Sequence, residues 1–205
     1  MEQHPSRAQR SAFWAALLEG EPAKAVLRPD HPRPPVPSFL RETVSRTLDA
    51  ECAARIGTLG ADHGAWPWTA ALSAWMLLLV RHGNASDVMI GTVLRNELAI
   101  TRCEIRPGET VRQLVARVAQ VAHDVERYAP VEEALVGSRS VAERCGTLLI
   151  ADADGFRGSG DIAAEQSALS DVSLIIGGDA SRLLTIDFDA ELYEPATIER
   201  VLDQL

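Results

Sequence analysis

Five histidines and three cysteines are the residues of this 205-residue chain best suited to proton transfer or nucleophilic attack. The histidines stand at 4, 31, 63, 82 and 123; no two are adjacent and none has an aspartate four residues later. Cys52, Cys103 and Cys145 lie too far apart for a Cys-x-x-Cys metal or redox motif, and an odd number cannot close into a complete disulfide set. No serine or cysteine occupies a Gly-x-Ser-x-Gly elbow. Isolated residues of these types are mostly structural, so hydrolysis is not the expected chemistry. Gly158-Ser159-Gly160-Asp161-Ile162-Ala163 has the pattern of a dinucleotide-binding turn. Six residues, Asp152 to Arg157, part it from the preceding strand, and Asp152, Asp154 and Asp161 would repel a pyrophosphate. The same aspartates lack the spacing of a calcium loop. Residues 152–161 therefore read as a Gly/Asp-rich crossover loop, and neither a cofactor nor a metal is expected.

The bulk properties narrow the partners. A formal charge of -9 argues against nucleic acid and anionic lipid, both of which need concentrated positive charge. With 46% hydrophobic residues the chain fills one core, and 1–205 reads as a single domain. Its greasiest run, Trp75 to Val80, is far shorter than the ~20 residues of a membrane span, and no apolar leader follows Met1. A reducing cytoplasm is the expected home.

Periodicity supplies the elements. Arg7–Leu18 reads as a helix, and Pro-rich residues 28–37 as an extended segment lying along a surface. A strand is expected within Ser38–Leu48, then a helix capped by Asp49, then a helix over Ala70–Arg81 that is apolar nearly all round and so central. Val88–Leu94 and Leu98–Ile105 read as strands, followed by an amphipathic helix capped by Thr110 and a short helix at Val131–Val136. Thr147–Ala151, Val172–Ile176 and Leu183–Phe188 read as strands, the last two joined by a turn at 177–180, and Pro195 opens a closing helix. Helices and strands interleave without a repeat, giving an α/β fold of mixed sheet and flanking helices.

Several stretches carry a family resemblance. Ala12-Phe13-Trp14-Ala15-Ala16-Leu17-Leu18 followed by Asp30-His31-Pro32-Arg33-Pro34 resembles the helix and "D-x-P-R-P" segment of nonribosomal peptide synthetase condensation domains. Thr69-Ala70-Ala71-Leu72-Ser73-Ala74-Trp75 and Asp87-Val88-Met89-Ile90-Gly91-Thr92 resemble their central helix and "D-V-V-V-G-T-P" strand. Phe188 to Arg200, ending Thr197-Ile198-Glu199-Arg200, resembles the closing strand and helix. The resemblance spans almost the whole chain. It implies a single chloramphenicol-acetyltransferase-like lobe, the C-terminal half of a condensation domain.

Two departures carry functional weight. The family's catalytic base belongs to a His-His-x-x-x-Asp-Gly motif that the five histidines do not form. Arg95-Asn96-Glu97 also runs almost directly into the next strand, where the family places a longer loop, so part of the acceptor tunnel's floor is trimmed. What the resemblance implies is therefore a truncated, non-catalytic interaction module in secondary-metabolite or antibiotic assembly. The alternative is half of a split condensation or acyltransferase enzyme whose histidine comes from another polypeptide. The expected partner is a synthetase domain, a carrier protein, a tailoring enzyme or a second copy, meeting an apolar lobe face. Asp87, Arg95, Asn96 and Glu97 flank the strand near the family's tunnel and are the candidate tunnel-wall residues. Against this stand an ordinary turn cap for Asp87 and a surface pair for Arg95. Trp66 and Trp68 read equally well as packing residues or as interface anchors.

Overall fold

Caps in the sequence set where the helices begin. Ser6 opens α1 (Arg7–Leu18) with a capping box: its hydroxyl accepts the Gln9 N–H while the Gln9 side chain accepts the Ser6 N–H. Thr110 and Gln113 do the same for α4 (Val111–Tyr128), and Ser140 and Glu143 for the short α5 (Val141–Cys145). Asp49 accepts the Cys52 N–H at the start of α2 (Ala50–Ala61), as its position before an apolar run predicts. The computed structural model describes residues 5–20, 22, 24–61, 68–83, 85–94, 97–131, 140–151, 160–177 and 182–205.

Among the described residues six strands form one sheet: β1 (Arg41–Thr47), β2 (Asp87–Leu94), β3 (Glu97–Glu104), β4 (Thr147–Ala151), β5 (Val172–Gly177) and β6 (Leu183–Asp189). Their order is β1-β6-β5-β4-β2-β3. The central pairs β2–β4 and β4–β5 are parallel and the outer pairs antiparallel, which makes the sheet mixed. The parallel strands are the continuous apolar runs expected of strands buried on both faces. Alternate residues Val88 and Ile90, Leu149, Leu174 and Ile176, and Ile186 and Phe188 share one core. That core also holds Leu72, Trp75, Met76 and Leu79 of α3 (Trp68–Gly83), Leu114 and Val118 of α4, and Ile198, Val201 and Leu202 of α7 (Pro195–Asp203). Each fully buried side chain of this size contributes about 1.5–3 kcal/mol. A second cluster gathers Trp14, Met89, Ile100, Val125, Val141 and Cys145. There the Trp14 indole donates to the Tyr128 carbonyl at 3.0 Å and Phe13 stacks on the Tyr128 ring.

The Pro-rich segment is fastened down. Asp30 and His31 donate their backbone N–H groups to the Leu192 carbonyl at 2.9 and 3.1 Å, and the buried Tyr193 hydroxyl donates to the Leu27 carbonyl at 3.0 Å. The Asp30 carboxylate accepts the Glu194 N–H and the Thr197 hydroxyl, both at 2.9 Å. It thereby caps α7, whose own N-cap side chain, Glu194, makes no such bond. Arg33 reaches Asp171 at 2.6 Å, and that carboxylate raises the guanidinium's pKa.

Three sequence expectations differ from the structure or fall outside it. Residues 160 and 161, expected in the crossover loop, begin α6 (Gly160–Leu169). Ala, Glu, Gln and Leu favour helix by propensity there, while the apolar residues follow no helical stripe, so periodicity gives no signal. Helix α5 was also not anticipated. The expected helix at 131–136 and the 177–180 turn fall almost entirely outside the described residues, as do 152–159 of the loop.

Candidate functional site

Asp87 begins β2, and both of its oxygens are taken by Arg102 of β3, with Nε at 3.1 Å from each and Nη2 at 2.6 Å from Oδ2. The same guanidinium donates to the Leu17, Glu19 and Gly20 carbonyls at 2.8, 2.7 and 3.0 Å. Asp87 thus holds an arginine that closes the C-terminal end of α1, where helix carbonyls lack partners. Glu97 lies at the other end of the hairpin, exposed at the start of β3 and paired in register with Leu94. At ~3.3 Å per residue, the length of β2 keeps Asp87 and Glu97 roughly 20–25 Å apart. Trp68 opens α3 and lines a cavity. Arg95, Asn96 and Trp66 lie outside the described residues. The β2–β3 hairpin thus places Asp87 and Glu97 at its opposite ends.

No proton-transfer centre stands out among the described residues. His31, His82 and His123 are exposed on separate elements, His31 beside Glu194 at 2.7 Å. Cys103 and Cys145 are buried, and Cys52 is half-buried. Burial pushes the Cys103 thiol's pKa up despite the Arg117 guanidinium 3.3 Å away, which keeps it protonated and unreactive. Arg117 is itself locked to Glu109 by hydrogen bonds at 2.6 and 2.7 Å, and this holds the Glu109 carboxyl below the usual carboxylate range. No described group of three His, Cys, Asp or Glu side chains is arranged to hold a metal ion.

The feature that sequence reasoning missed is a cavity of about 650 Å³ between α2, α3, α4 and the sheet. Cys52, Ala53, Ile56, Gly57 and Leu59 of α2 face Leu77 and Trp68 of α3, with Val115 of α4, Ile176 and Leu184 beneath. No described lining side chain is charged. The space opens to solvent at Val111, and apolar walls left unfilled forgo the burial that would otherwise stabilise the fold. Water gains too few hydrogen bonds from such walls to compensate. Helix α2 buries none of its described residues although one face is apolar: that face looks onto the cavity rather than into packed core.

An apolar lobe face is expected, and the apolar side chains left only partly buried among the described residues include Phe13, Leu17, Leu98, Ile162 and Ile175. Exposed large apolar side chains there are confined to Val36, Phe39, Leu40, Val111 and Leu183.

The protein is thus a mixed α/β domain whose described residues form a six-stranded sheet, structural ion pairs and a large apolar cavity. The family model for the condensation domain matches residues 1–139, and the chain belongs to that family. It is 34% identical over 122 residues to surfactin synthase subunit 1 of Bacillus subtilis, covering 52% of this chain and 3% of that subunit. The crystal structure of the X-domain from teicoplanin biosynthesis superposes with a TM-score of 0.77 at 22% identity, over 98% of this chain and 53% of that one. A complex of the X-domain and OxyB from teicoplanin biosynthesis gives a TM-score of 0.71 at 20% identity, over 95% of this chain and 50% of that one. The chain therefore spans a few per cent of the synthetase subunit and about half of these solved domains.

Proposed function

We propose that this chain is the C-terminal lobe of a condensation-type domain and acts as a recruitment module in nonribosomal peptide assembly, binding a protein partner without forming bonds itself. The observation that carries this reading is the state of its imidazoles. The sequence holds no His-His-x-x-x-Asp-Gly, and the three described histidines are exposed and dispersed. Amide formation between tethered substrates needs a positioned base, and this lobe supplies none. The likeness to an X-domain that forms a complex with OxyB supports a protein partner, whether a tailoring enzyme, a carrier protein, another synthetase domain or a second copy. Trp66, Trp68, Arg95, Asn96 and Glu97 are the contact residues to test first, with Asp87 behind them as a support. The reading places the chain in the cytoplasm, in keeping with its odd number of cysteines, three.

Titration calorimetry against carrier proteins and tailoring enzymes of its own pathway, with mass spectrometry of the same mixtures, tests this proposal. Saturable binding without amide product is expected. Coupling of thioester-linked substrates by the lobe alone would overturn it.

One observation favours a second reading: the chain covers 53% of a solved single-domain relative, which leaves room for a complementary lobe on another polypeptide. Under that reading, mixing with a lobe that carries the paired histidines restores condensation, and replacing the second histidine abolishes it.

A further inference from the structure

The cavity between α2, α3 and α4 is graded from rim to floor. Val111, at its edge, is 59% exposed and is among the few exposed large apolar side chains described, while Val115, one helical turn deeper, is 1% exposed. Leu114, Ile176 and Leu184 complete a buried floor, and Ile56 and Leu59 of α2 form the opposite wall. A Cβ built on Gly57, within that wall, meets no atom within 4 Å. The cavity is thus real space beside the helix rather than a seam between packed side chains.

We infer that this cavity binds an uncharged aliphatic chain, entering past Val111 and lying along α2. The walls fix the class. Among the described lining residues no charged side chain could meet a carboxylate or an ammonium, and the Ser73 hydroxyl is already spent on the Thr69 carbonyl at 2.8 Å. Pockets of about 300–1,000 Å³ with apolar walls are the usual size for small-molecule ligands. A benzene-sized ligand occupies an apolar cavity of about 150 Å³, so the space here holds up to roughly 25 carbons and admits a ten-carbon chain with room to spare. This site is independent of the recruitment reading: it could hold whether or not the lobe binds a protein, and the two have separate readouts.

Decan-1-ol is the probe, with butan-1-ol as the short-chain control and decylammonium as the charged one. Binding to the full chain raises its melting temperature in proportion to the logarithm of decan-1-ol concentration. It also slows iodoacetamide labelling of Cys52, the half-buried cavity thiol, at least threefold. Gly57→Leu fills the space, raises the unliganded melting temperature and weakens decan-1-ol binding at least tenfold. Val111→Asp, at the exposed rim and clear of the core, leaves the fold intact and weakens binding at least threefold. The inference is overturned if decan-1-ol changes neither melting nor labelling, if Gly57→Leu binds it as well as the parent does, or if butan-1-ol or decylammonium does equally well. A parent dimer that Gly57→Leu converts to monomer would also overturn it, by making a second copy the occupant.

Discussion

The two sides of the sheet accept an added side chain in opposite ways. On the α5 side, a Cβ on Gly91 of β2 would fall inside contact distance of the Leu148 side chain and 2.9 Å from Val141 Cγ1. On the α2 side, a Cβ on Gly57 meets nothing. One glycine is needed because a short helix lies directly on the parallel strands, whereas the other sits in a helix interior with no steric reason to be glycine. The proposed aliphatic ligand lies on the loosely filled side, and the tight side holds the short helix close against the sheet. The sharpest way to break this contrast is Gly91→Val, expected to destabilise by about 3 kcal/mol because neither Leu148 nor Val141 has room to move. Gly57→Leu should move stability the other way, removing a helical glycine that costs roughly 1 kcal/mol. Urea denaturation of the two variants reads both signs, and a large loss from Gly57→Leu would dissolve the comparison.

The next effects test the polar clamps of the framework. Arg102→Ala leaves Asp87 without its guanidinium and strips donors from three carbonyls at the end of α1. About 2–3 kcal/mol should be lost, with faster hydrogen exchange confined to α1, because one partner of a half-buried ion pair is left uncompensated. Asp30→Ala removes the remote cap of α7, and a loss of about 1 kcal/mol is expected by the same denaturation. An equal effect from Glu194→Ala would contradict the assignment of the cap to Asp30.

Much of this framework was legible in the chain, and for identifiable reasons. Strands such as Thr147–Ala151 and Val172–Gly177 are buried on both faces and announce themselves as apolar runs; α4 shows a clean stripe behind its Thr110 cap. Helix α5 carried its signature too, Ser140-x-x-Glu143 with left-handed Gly146 closing it, but five residues are too few for periodicity to register. Helix α6 could not be seen from a stripe it lacks. The candidate site was harder. Asp87 stands where the resemblance implies a tunnel-wall group, and spacing does not disclose its partner Arg102, fifteen residues away and brought alongside only by the β2–β3 hairpin. The cavity was invisible for a deeper reason: it is made by what four elements leave unfilled, and no single residue encodes an absence of packing.

The smallest expected effect lies in the pH dependence, at the join between the two sides. Arg117, on α4, holds Glu109 with two hydrogen bonds and also donates to the Glu104 carbonyl at 2.6 Å. Because the folded state lowers the Glu109 pKa from its ordinary 4.5, the unfolded chain binds the proton more readily. The pair therefore contributes its stability above that ordinary value and loses it as pH falls through the lower, folded one. Denaturation followed from pH 7 to pH 3 should show the parent losing more stability than Glu109→Gln, whose side chain has no proton to gain. Helix α4 carries the cavity floor at Val115 as well as this ion pair, so acid should loosen the cavity before the rest of the core. Decan-1-ol affinity that falls in step with the Glu109 titration, and loses that step in Glu109→Gln, would join the two sides through one helix. Affinity unchanged down to the pH of global unfolding would leave them energetically separate.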